Sequence, residues 1–234
     1  MKCPKQGLYA ITQTANKTLP AIISEVTAAL QGGVVMVQYR DKQPINAALL
    51  ASELVTLCHH YHVPLIINDD VALALAVGAD GVHLGQQDGS IAEAREQLGA
   101  DAIIGVSCYN ALTTALQAQA NGADYVAFGR FFPSRSKPLA APASLETLHQ
   151  ARQVLSLPII AIGGILPENG AGLLAAGANI LAVIDGLFGN ETRPQSGRHF
   201  RKISPIDFEP SCPEWIYGII GFEVRFMRRQ VPRA

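Results

Sequence analysis

The sequence predicts an α/β protein, a closed (β/α)8 TIM barrel that forms a single domain and is followed by an atypical C-terminal extension. Eight short apolar runs alternate with seven helical patterns along the first 189 residues. The tripeptide Gly-Ala-Asp or Gly-Ala-Asn recurs at residues 78–80, 99–101, 122–124 and 177–179, each time where a helix must stop and a strand begin. An open, doubly wound sheet is the alternative, and closure is favoured because none of the strands has the polar character of an edge.

The strands are predicted at residues 8–12, 34–39, 65–67, 81–84, 102–106, 125–128, 159–162 and 180–184. Runs that are this short, rich in β-branched residues and bounded by polar residues are typical of buried parallel strands. The helices are predicted at residues 20–30, 46–60, 71–77, 91–98, 111–120, 144–155 and 168–176. The short helix at 71–77 is closed by Gly78, the residue type that best tolerates the left-handed conformation after a helix.

The chain after residue 189 breaks the pattern. We therefore assign residues 1–189 to the barrel, and residues 190–234 to an extension that is expected to be either solvated or partly disordered; the sequence leaves open whether it is ordered. The extension contains eight Lys and Arg but only five Asp and Glu, and its five prolines interrupt any amphipathic eighth helix.

Composition argues against several classes of protein. A formal net charge of −1 argues against a nucleic-acid-binding protein. No apolar run is long enough to span a bilayer and the N-terminus lacks a signal-peptide pattern, so we expect a cytoplasmic protein without a membrane partner. The four cysteines have neither metal-binding nor disulfide spacing, which favours reduced thiols. The sequence leaves the oligomeric state open, including a homo-oligomer.

Carboxylates follow two consecutive predicted strands. Asp69 follows the strand at 65–67 and Asp88 follows the strand at 81–84. Because ligands bind at the carboxyl ends of the strands in parallel α/β folds, both side chains are expected in the ligand site. Magnesium prefers a few carboxylates, waters and phosphate oxygens, so Asp69 and Asp88 are the predicted metal ligands. Helix capping is the alternative role for an aspartate here, and Asp70 can fulfil it before the helix at 71–77.

The second strand ends with cations at alternate positions. Gln38, Arg40 and Lys42 share one parity, so their side chains project to the same side if the strand persists. Arginine suits forked hydrogen bonds to a diphosphate, and lysine acts as a point charge. Ser107, which ends the fifth strand, is either a hydroxyl donor to substrate or a turn residue. His83 lies within a strand pattern and is expected to be a hydrogen-bonded barrel histidine rather than a metal ligand.

Features suited to phosphate follow the sixth and seventh strands. The loop at residues 129–137, GRFFPSRSK, contains three cations and two hydroxyls, as a lid over phosphate would require. Gly163-Gly164 allows the backbone to approach an anion closely, and the helix predicted to begin at residue 168 would add its N-terminal dipole. Phosphate sites after strands seven and eight are frequent in these barrels.

Six motifs, in this order along the chain, resemble the thiamine phosphate synthase family: QYRDK at 38–42, INDD at 67–70, DGVHLGQQD at 80–88, IIGVS at 103–107, GADYVAFGRFFPSRSKP at 122–138 and AIGGI at 161–165. The resemblance extends from Gly7 to about Phe188. It implies a transferase of thiamine biosynthesis that condenses 4-amino-2-methyl-5-(diphosphooxymethyl)pyrimidine with hydroxyethylthiazole phosphate, or its carboxylated form, and releases pyrophosphate. It also implies Mg²⁺ as the cofactor, bound by Asp69 and Asp88.

The resemblance further implies the substrate contacts. Those to the pyrimidine diphosphate are Gln38, Tyr39, Arg40, Asp41, Lys42, Asn68, Ser107 and Lys137. Those to the thiazole phosphate are Ser134, Arg135, Ser136, Gly164, Ile184 and Asp185. In the implied mechanism the metal and the catalytic cations Arg40, Lys42 and Lys137 stabilise the departing pyrophosphate, and the thiazole nitrogen captures the resulting pyrimidine-methyl cation with little need for a protein base.

The sequence departs from the family pattern at the expected thiazole-phosphate site. Asp185 stands where the family usually has a serine, and Ser134 and Ser136 replace the usual threonines. Two other functions are alternatives on this fold. A thiazole tautomerase-like barrel would not need the complete diphosphate set, and a non-catalytic barrel would only bind a phosphorylated ligand.

Overall fold

The computed structural model describes residues 1–85, 87–133 and 141–188, and in them the chain forms a closed barrel of eight parallel strands. The strands lie in sequence order, and the eighth pairs with the first. The predicted (β/α)8 fold is therefore confirmed, and the open-sheet alternative is wrong. No helix in the described part of the chain is long and apolar enough to cross a membrane.

The strands are β1 (Gly7–Ile11), β2 (Met36–Tyr39), β3 (Leu65–Asn68), β4 (Gly81–Leu84), β5 (Ile103–Tyr109), β6 (Tyr125–Gly129), β7 (Ile159–Ile162) and β8 (Ile180–Val183). The helices are α1 (Leu19–Gln31), α2 (Ala47–His60), α3 (Val71–Val77), α4 (Ile91–Leu98), α5 (Leu112–Ala120), α6 (Leu145–Val154), α7 (Ala171–Ala175) and α8 (Asp185–Phe188). Helices α1–α7 connect consecutive strands, and the predicted strands agree with the observed ones to within about two residues at most ends.

Short-range signals in the sequence set several helix boundaries. The carboxylate of Asp70 caps α3 by accepting the N–H of Leu73 at 2.8 Å, and Gly78 ends this helix in the left-handed conformation with a φ of 68°. Ser90 and Glu93 cap α4 reciprocally. The predicted capping role of Asp70 is confirmed, so Asp69 is not needed for it.

Helix α7 differs from the prediction because it begins at Ala171 rather than at residue 168, and it has only five residues. In the preceding turn, the side chain of Asn169 accepts the N–H of Leu166 at 2.8 Å and donates to the carbonyl of Gly164 at 3.0 Å. Such local bonds from a side chain to the backbone compete with a helix. The dipole of a helix starting at residue 168, which was expected to support anion binding, is therefore absent. The sequence pattern also does not indicate the four-residue helix α8.

Alternation of side chains along the strands divides the core into an inner and an outer part. The inner part fills the barrel and consists of Tyr9, Ile11, Met36, Ile66, Ile103, Tyr125, Ala127, Ile160, Ile180 and Ala182. Residues of the opposite parity pack outward in two main clusters, one between β1–β3 and α1–α3 and the other between β5–β8 and α5–α7. This parity decides which polar side chains can reach a ligand in the mouth of the barrel.

The repeated Gly-Ala-Asp/Asn tripeptide has a structural role at the amino ends of the strands. In three copies, the last residue donates its N–H to a carbonyl of the preceding strand and accepts the N–H of that same residue with its side chain. These clamps join Asp80 to Leu65 (2.9 and 2.9 Å), Asp124 to Ile104 (2.7 and 2.8 Å) and Asn179 to Ile159 (2.7 and 2.9 Å). The repeat therefore fastens neighbouring strands far from the ligand end.

Candidate active site

The carboxyl ends of the strands form one mouth of the barrel, and several predicted site residues meet there. Gln38 and Arg40 come from the end of β2, Asn68 and Asp69 from the end of β3, Asp88 from the loop after β4 and Ser107 from β5. Barrel closure thus collects polar groups that are separated by as many as 69 positions in the sequence.

Asp69 and Asp88 form a carboxylate pair. Their carboxyl groups lie within hydrogen-bonding reach of each other. Partial burial and the neighbouring Asp88 raise the pKa of Asp69 from 3.8 to about 6, against the opposing effects of Asn68 and Arg40. The pair is held from both sides, because Asn68 donates to Asp69 at 2.6 Å and the N–H of Gly85 donates to Asp88 at 2.8 Å. Two carboxylates this close repel each other unless a proton or a cation lies between them.

The backbone supports this placement of Asp69. Its φ is 64°, in the left-handed region that few non-glycine residues adopt. Its N–H donates to the carbonyl of His83 in β4 at 2.9 Å, which ties the end of β3 to the strand that leads to Asp88. A strained residue held by a neighbouring strand is typical of ligand sites.

Arg40 lies beside the carboxylate pair. Burial lowers the pKa of its guanidinium, and the charge of Asp69 acts in the opposite direction. Its backbone is fixed by Thr12, whose hydroxyl accepts the N–H of Arg40 at 2.9 Å and lies 3.2 Å from its carbonyl oxygen. Lys42 is exposed at the same mouth.

Tyr39 and Asp41 differ from their neighbours in the expected diphosphate-binding segment. The side chain of Tyr39 is buried in the outer cluster between the strands and the helices, where desolvation raises its pKa to about 12. The carboxylate of Asp41 accepts the N–H of Gln43 at 3.0 Å. Parity therefore directs the side chain of Tyr39 away from the barrel interior, and only its backbone remains available to a ligand there.

A chain of five hydrogen-bonded side chains crosses the inside of the barrel below the mouth. Its members are Gln38, Tyr9, Tyr125, His83 and Ser107, from strands β2, β1, β6, β4 and β5. The prediction that His83 is a hydrogen-bonded barrel histidine is confirmed. Tyr9 and Tyr125 are not among the predicted site residues, although their inward parity in two strands is a signal that could have identified them.

Gln13 is another polar residue that the sequence did not indicate. It follows β1 at the parity of Tyr9 and Ile11, which point into the barrel. Its Oε1 is buried and has no hydrogen-bond partner among the described residues. A donor on a ligand would satisfy this acceptor.

The two glycines after β7 serve packing. Gly163 and Gly164 have φ angles of 105° and 63°, and a β-carbon on either one would collide with residues 130–133 after β6. They bring the β6 and β7 loops together at the mouth, so the expected need for close approach to an anion is not their only explanation.

The end of β8 contains the predicted pair Ile184 and Asp185. Asp185 is exposed in the first turn of α8. Gly186 packs tightly, since a β-carbon there would lie 2.6 Å from the carbonyl oxygen of Ile165. The main chain of α8 therefore approaches the β7 loop. Because Asp185 is exposed, water screens the charge of its carboxylate.

Ser134, Arg135, Ser136 and Lys137 lie outside the described residues, as does the extension at 190–234. The chain on both sides of 134–140 is attached to the mouth of the barrel. The N–H groups of Phe131 and Phe132 donate to the carbonyls of Ile162 and Gly163, and Ala143 donates to the carbonyl of Arg130 at 2.7 Å.

The described site combines groups suited to a charged, phosphorylated ligand. The carboxylate pair offers hard oxygen ligands to a cation, and Arg40 offers forked donors to a phosphate. The five hydrogen-bonded side chains across the barrel offer neutral polar groups to a heterocycle. Among the described residues, no group of three or more His, Cys, Asp or Glu side chains is arranged so that it could hold a metal ion.

Comparison with known proteins identifies the family. The family model described as thiamine monophosphate synthase matches residues 8–187. The chain is 55% identical over 185 residues to the thiamine-phosphate synthase of Nitrosococcus oceani, covering 78% of this chain and 85% of the relative. It is 52% identical over 185 residues to that of Alcanivorax borkumensis, with the same coverage.

A solved structure agrees. The thiamine phosphate pyrophosphorylase from Pyrococcus furiosus superimposes with a TM-score of 0.71 at 35% identity, covering 80% of this chain and 89% of that one. The region that the family model matches includes all of the barrel except its first and last residues, and it includes each described residue of the candidate site. The chain belongs to the thiamine monophosphate synthase family.

Proposed function

We propose that this protein condenses 4-amino-2-methyl-5-(diphosphooxymethyl)pyrimidine with hydroxyethylthiazole phosphate, or its carboxylated form, to give thiamine phosphate and pyrophosphate. It is a transferase of thiamine biosynthesis, and its extensive identity with thiamine-phosphate synthases supports this reaction. The structural observation that favours diphosphate chemistry is the contact between Asp69 and Asp88 beside Arg40.

The carboxylate pair fits Mg²⁺. It provides only oxygen ligands, and its two like charges require a cation at neutral pH. Two carboxylates leave coordination positions for waters and diphosphate oxygens, which is how proteins usually bind this ion. When bound, Mg²⁺ would neutralise negative charge that develops on the departing pyrophosphate.

The pyrimidine diphosphate is proposed to bind across β2, β3 and β5. Arg40 and Lys42 hold the diphosphate, and Asn68 orients Asp69 as well as facing the ligand. Gln38 and Ser107 contact the pyrimidine end, and Lys137 contacts the diphosphate. Any contribution of Tyr39 is through its backbone, because its side chain is buried on the outer face.

The thiazole phosphate is proposed to bind at Gly164, Ile184 and Asp185, together with Ser134, Arg135 and Ser136. The C–O bond between the pyrimidine methylene and the diphosphate breaks with its electrons going to pyrophosphate. The lone pair of the thiazole nitrogen then forms the new C–N bond. For hydroxyethylthiazole phosphate no proton has to move, so the chain contributes by positioning and by stabilising charge, and no general base is required. The carboxylated form would in addition release CO2, and the ring carbon that loses it would take up a proton from water.

The test is release of pyrophosphate when the protein, Mg²⁺ and both substrates are mixed, with formation of thiamine phosphate followed by chromatography. Omission of either substrate, or addition of excess chelator, should abolish the signal. Asp69→Asn should lose at least about 90% of the turnover, since one metal ligand is removed. Asp70→Asn is the matched control, because it neutralises the adjacent carboxylate and keeps the helix cap.

A different outcome would favour an alternative. Isomerisation of a thiazole phosphate without pyrophosphate release would indicate a tautomerase, and binding without turnover would indicate a non-catalytic barrel. A cytoplasmic location and the absence of a nucleic-acid partner stay predictions, and the oligomeric state stays open, including a homo-oligomer. The division into a barrel at 1–189 and an extension at 190–234 also stays a prediction.

A further inference from the structure

The hydrogen-bonded chain across the barrel connects two residues that are expected to contact the pyrimidine. Gln38 Nε2 donates to the Tyr9 hydroxyl at 2.7 Å, and the hydroxyls of Tyr9 and Tyr125 are 3.0 Å apart. The Tyr125 hydroxyl lies 3.0 Å from His83 Nδ1, and His83 Nε2 lies 2.9 Å from Ser107 Oγ. The first and last members are Gln38 and Ser107.

Both tyrosines retain their proton at neutral pH. They are fully buried inside the barrel, and desolvation raises the pKa of both phenols above the usual 10. A phenol has one O–H, so it can donate only one hydrogen bond. An O–H left without an acceptor is costly inside the barrel. A buried tyrosine that accepts from one neighbour therefore donates to the other, and the direction of the bond at Tyr9 is passed along the network.

The amide of Gln38 sets that direction. Because Tyr9 accepts from Gln38 Nε2, its own proton is available for the Tyr125 hydroxyl. Tyr125 then donates to His83 Nδ1, which must be the unprotonated nitrogen of the imidazole. The imidazole proton resides on Nε2 and is donated to Ser107 Oγ, so the Ser107 proton is left for a ligand.

Ring packing holds the side chains of the hydrogen-bonded network in place. The imidazole of His83 stacks on the ring of Tyr125 with a centroid distance of 5.6 Å, and Tyr9 meets the same ring edge-on at 6.0 Å. A β-carbon on Gly105 would collide with the Tyr125 ring, so a glycine at this inward position makes room for it. The network is therefore held by its rings as well as by its hydrogen bonds.

We propose that Tyr9, Tyr125 and His83 are positioning residues that fix the hydrogen-bond polarity of the pyrimidine site, so that Gln38 presents its carbonyl oxygen and Ser107 presents its hydroxyl proton. The ligand then needs a donor opposite Gln38, as an exocyclic amino group provides, and an acceptor opposite Ser107, as a ring nitrogen or a diphosphate oxygen provides. This inference rests on the proposed assignment of Gln38 and Ser107 to the pyrimidine substrate.

The first measurement is the tautomer of His83 in the full-length protein, read from the two imidazole nitrogens by long-range ¹H–¹⁵N NMR. His83→Gln identifies the resonances by their loss. The expected result is a proton on Nε2 and none on Nδ1. A proton on Nδ1 would mean that the hydrogen bonds are donated in the opposite direction, from Ser107 towards Gln38, and the proposal would be overturned.

The second measurement uses Tyr125→Phe, which retains the ring and removes the central hydroxyl. We expect the Nε2–H tautomer to lose its dominance and the KM for the pyrimidine diphosphate to rise about tenfold, equivalent to about 1.4 kcal/mol. The KM for the thiazole phosphate should change by less than about twofold, since the contacts proposed for this substrate do not include any member of the network. Tyr61→Phe is the matched control, because the Tyr61 hydroxyl contacts Gln31 at an exposed position on α1.

Tyr9→Phe provides an independent variant if Tyr125→Phe does not fold. It frees Gln38 but leaves Tyr125 able to donate to His83, so the KM for the pyrimidine diphosphate should rise while the tautomer stays unchanged. An unaltered KM in this variant would contradict the proposal. If the wild-type protein released no pyrophosphate, the proposed function would fail instead, and the tautomer measurement would still report on the network.

Discussion

Replacement of Asp69 by Asn should make the metal-free protein more stable, although it lowers turnover. In the folded protein the pKa of Asp69 is raised from 3.8 to about 6, so folded protein binds this proton more tightly than unfolded protein does. The negative charge therefore reduces stability progressively as the pH rises from about 4 to about 6, and fully above that. Asn removes this penalty, and it tolerates the left-handed conformation of residue 69.

The size of the effect follows from the pKa and the exposure of the side chain. At a fully buried site, the rise to about 6 would correspond to about 3 kcal/mol. Asp69 is exposed, and solvent screening reduces this to about 1 kcal/mol. For a chain of this size we expect the melting temperature of metal-free Asp69→Asn to be about 2–4 °C higher than that of the wild type at pH 8, with no gain at pH 3.5.

Magnesium should reverse the order of stability of the wild type and Asp69→Asn. A ligand that binds only the folded state stabilises it by mass action, so the wild type should gain stability with increasing Mg²⁺ whereas Asp69→Asn gains little. The assay is calorimetry across pH with and without Mg²⁺, and Asp70→Asn is the control. The reasoning would be refuted by a metal-free Asp69→Asn that is less stable than the wild type at pH 8, or by an equal response of both proteins to Mg²⁺.

Four other predictions concern separate parts of the molecule. The Mg²⁺ concentration needed for half-maximal activity should rise as the pH falls below about 6, because protons compete for Asp69; a concentration independent of pH between 5 and 8 would argue against this ligand. Asp124→Ala should lower the free energy of unfolding by about 1–3 kcal/mol, because it leaves the N–H of Ile104 without its acceptor. Asp124→Asn should lower this free energy by less, since Asn179 performs the same role for Ile159, and denaturant titration distinguishes the two variants. Asp185→Ser should lower the KM for thiazole phosphate by about threefold, since an exposed carboxylate repels the phosphate only weakly, and a rise in this KM would show that Asp185 makes a favourable contact. Truncation after residue 189 should preserve turnover per folded molecule, because all the motif residues precede it, and a folded but inactive truncated protein would assign the extension to the site.

Several site features were predictable because they depend on short stretches of chain. The positions of Asp69 and Asp88 follow from where two apolar runs end, and the capping role of Asp70 follows from the start of the next helix. The common parity of Gln38 and Arg40 follows from the two-residue period of a strand. Each of these inferences needs only the local pattern and the rule that parallel strands end at the same face.

Other features were not predictable because they depend on contacts between distant segments. The start of α7 is a local exception, because hydrogen bonds from the side chain of Asn169 to the nearby backbone displaced the start of a helix that the pattern placed at residue 168. Gly163 and Gly164 resembled an anion-binding turn, but their neighbours are residues 130–133, which another loop brings to them. Sequence alone does not say what a glycine makes room for.

The sequence by itself determined the alternation of strands and helices, the closed barrel and the face at which the site lies, because hydrophobic periodicity, capping and turn signals act over a few residues. Only the tertiary structure decided which side chains meet. Tyr9 and Tyr125 are 116 positions apart, and their hydroxyls come within 3.0 Å because strands β1 and β6 enclose the same interior. The raised pKa of Asp69 and the path from Gln38 to Ser107 have the same origin, since electrostatic and hydrogen-bonded coupling depends on distance in space, which barrel closure sets.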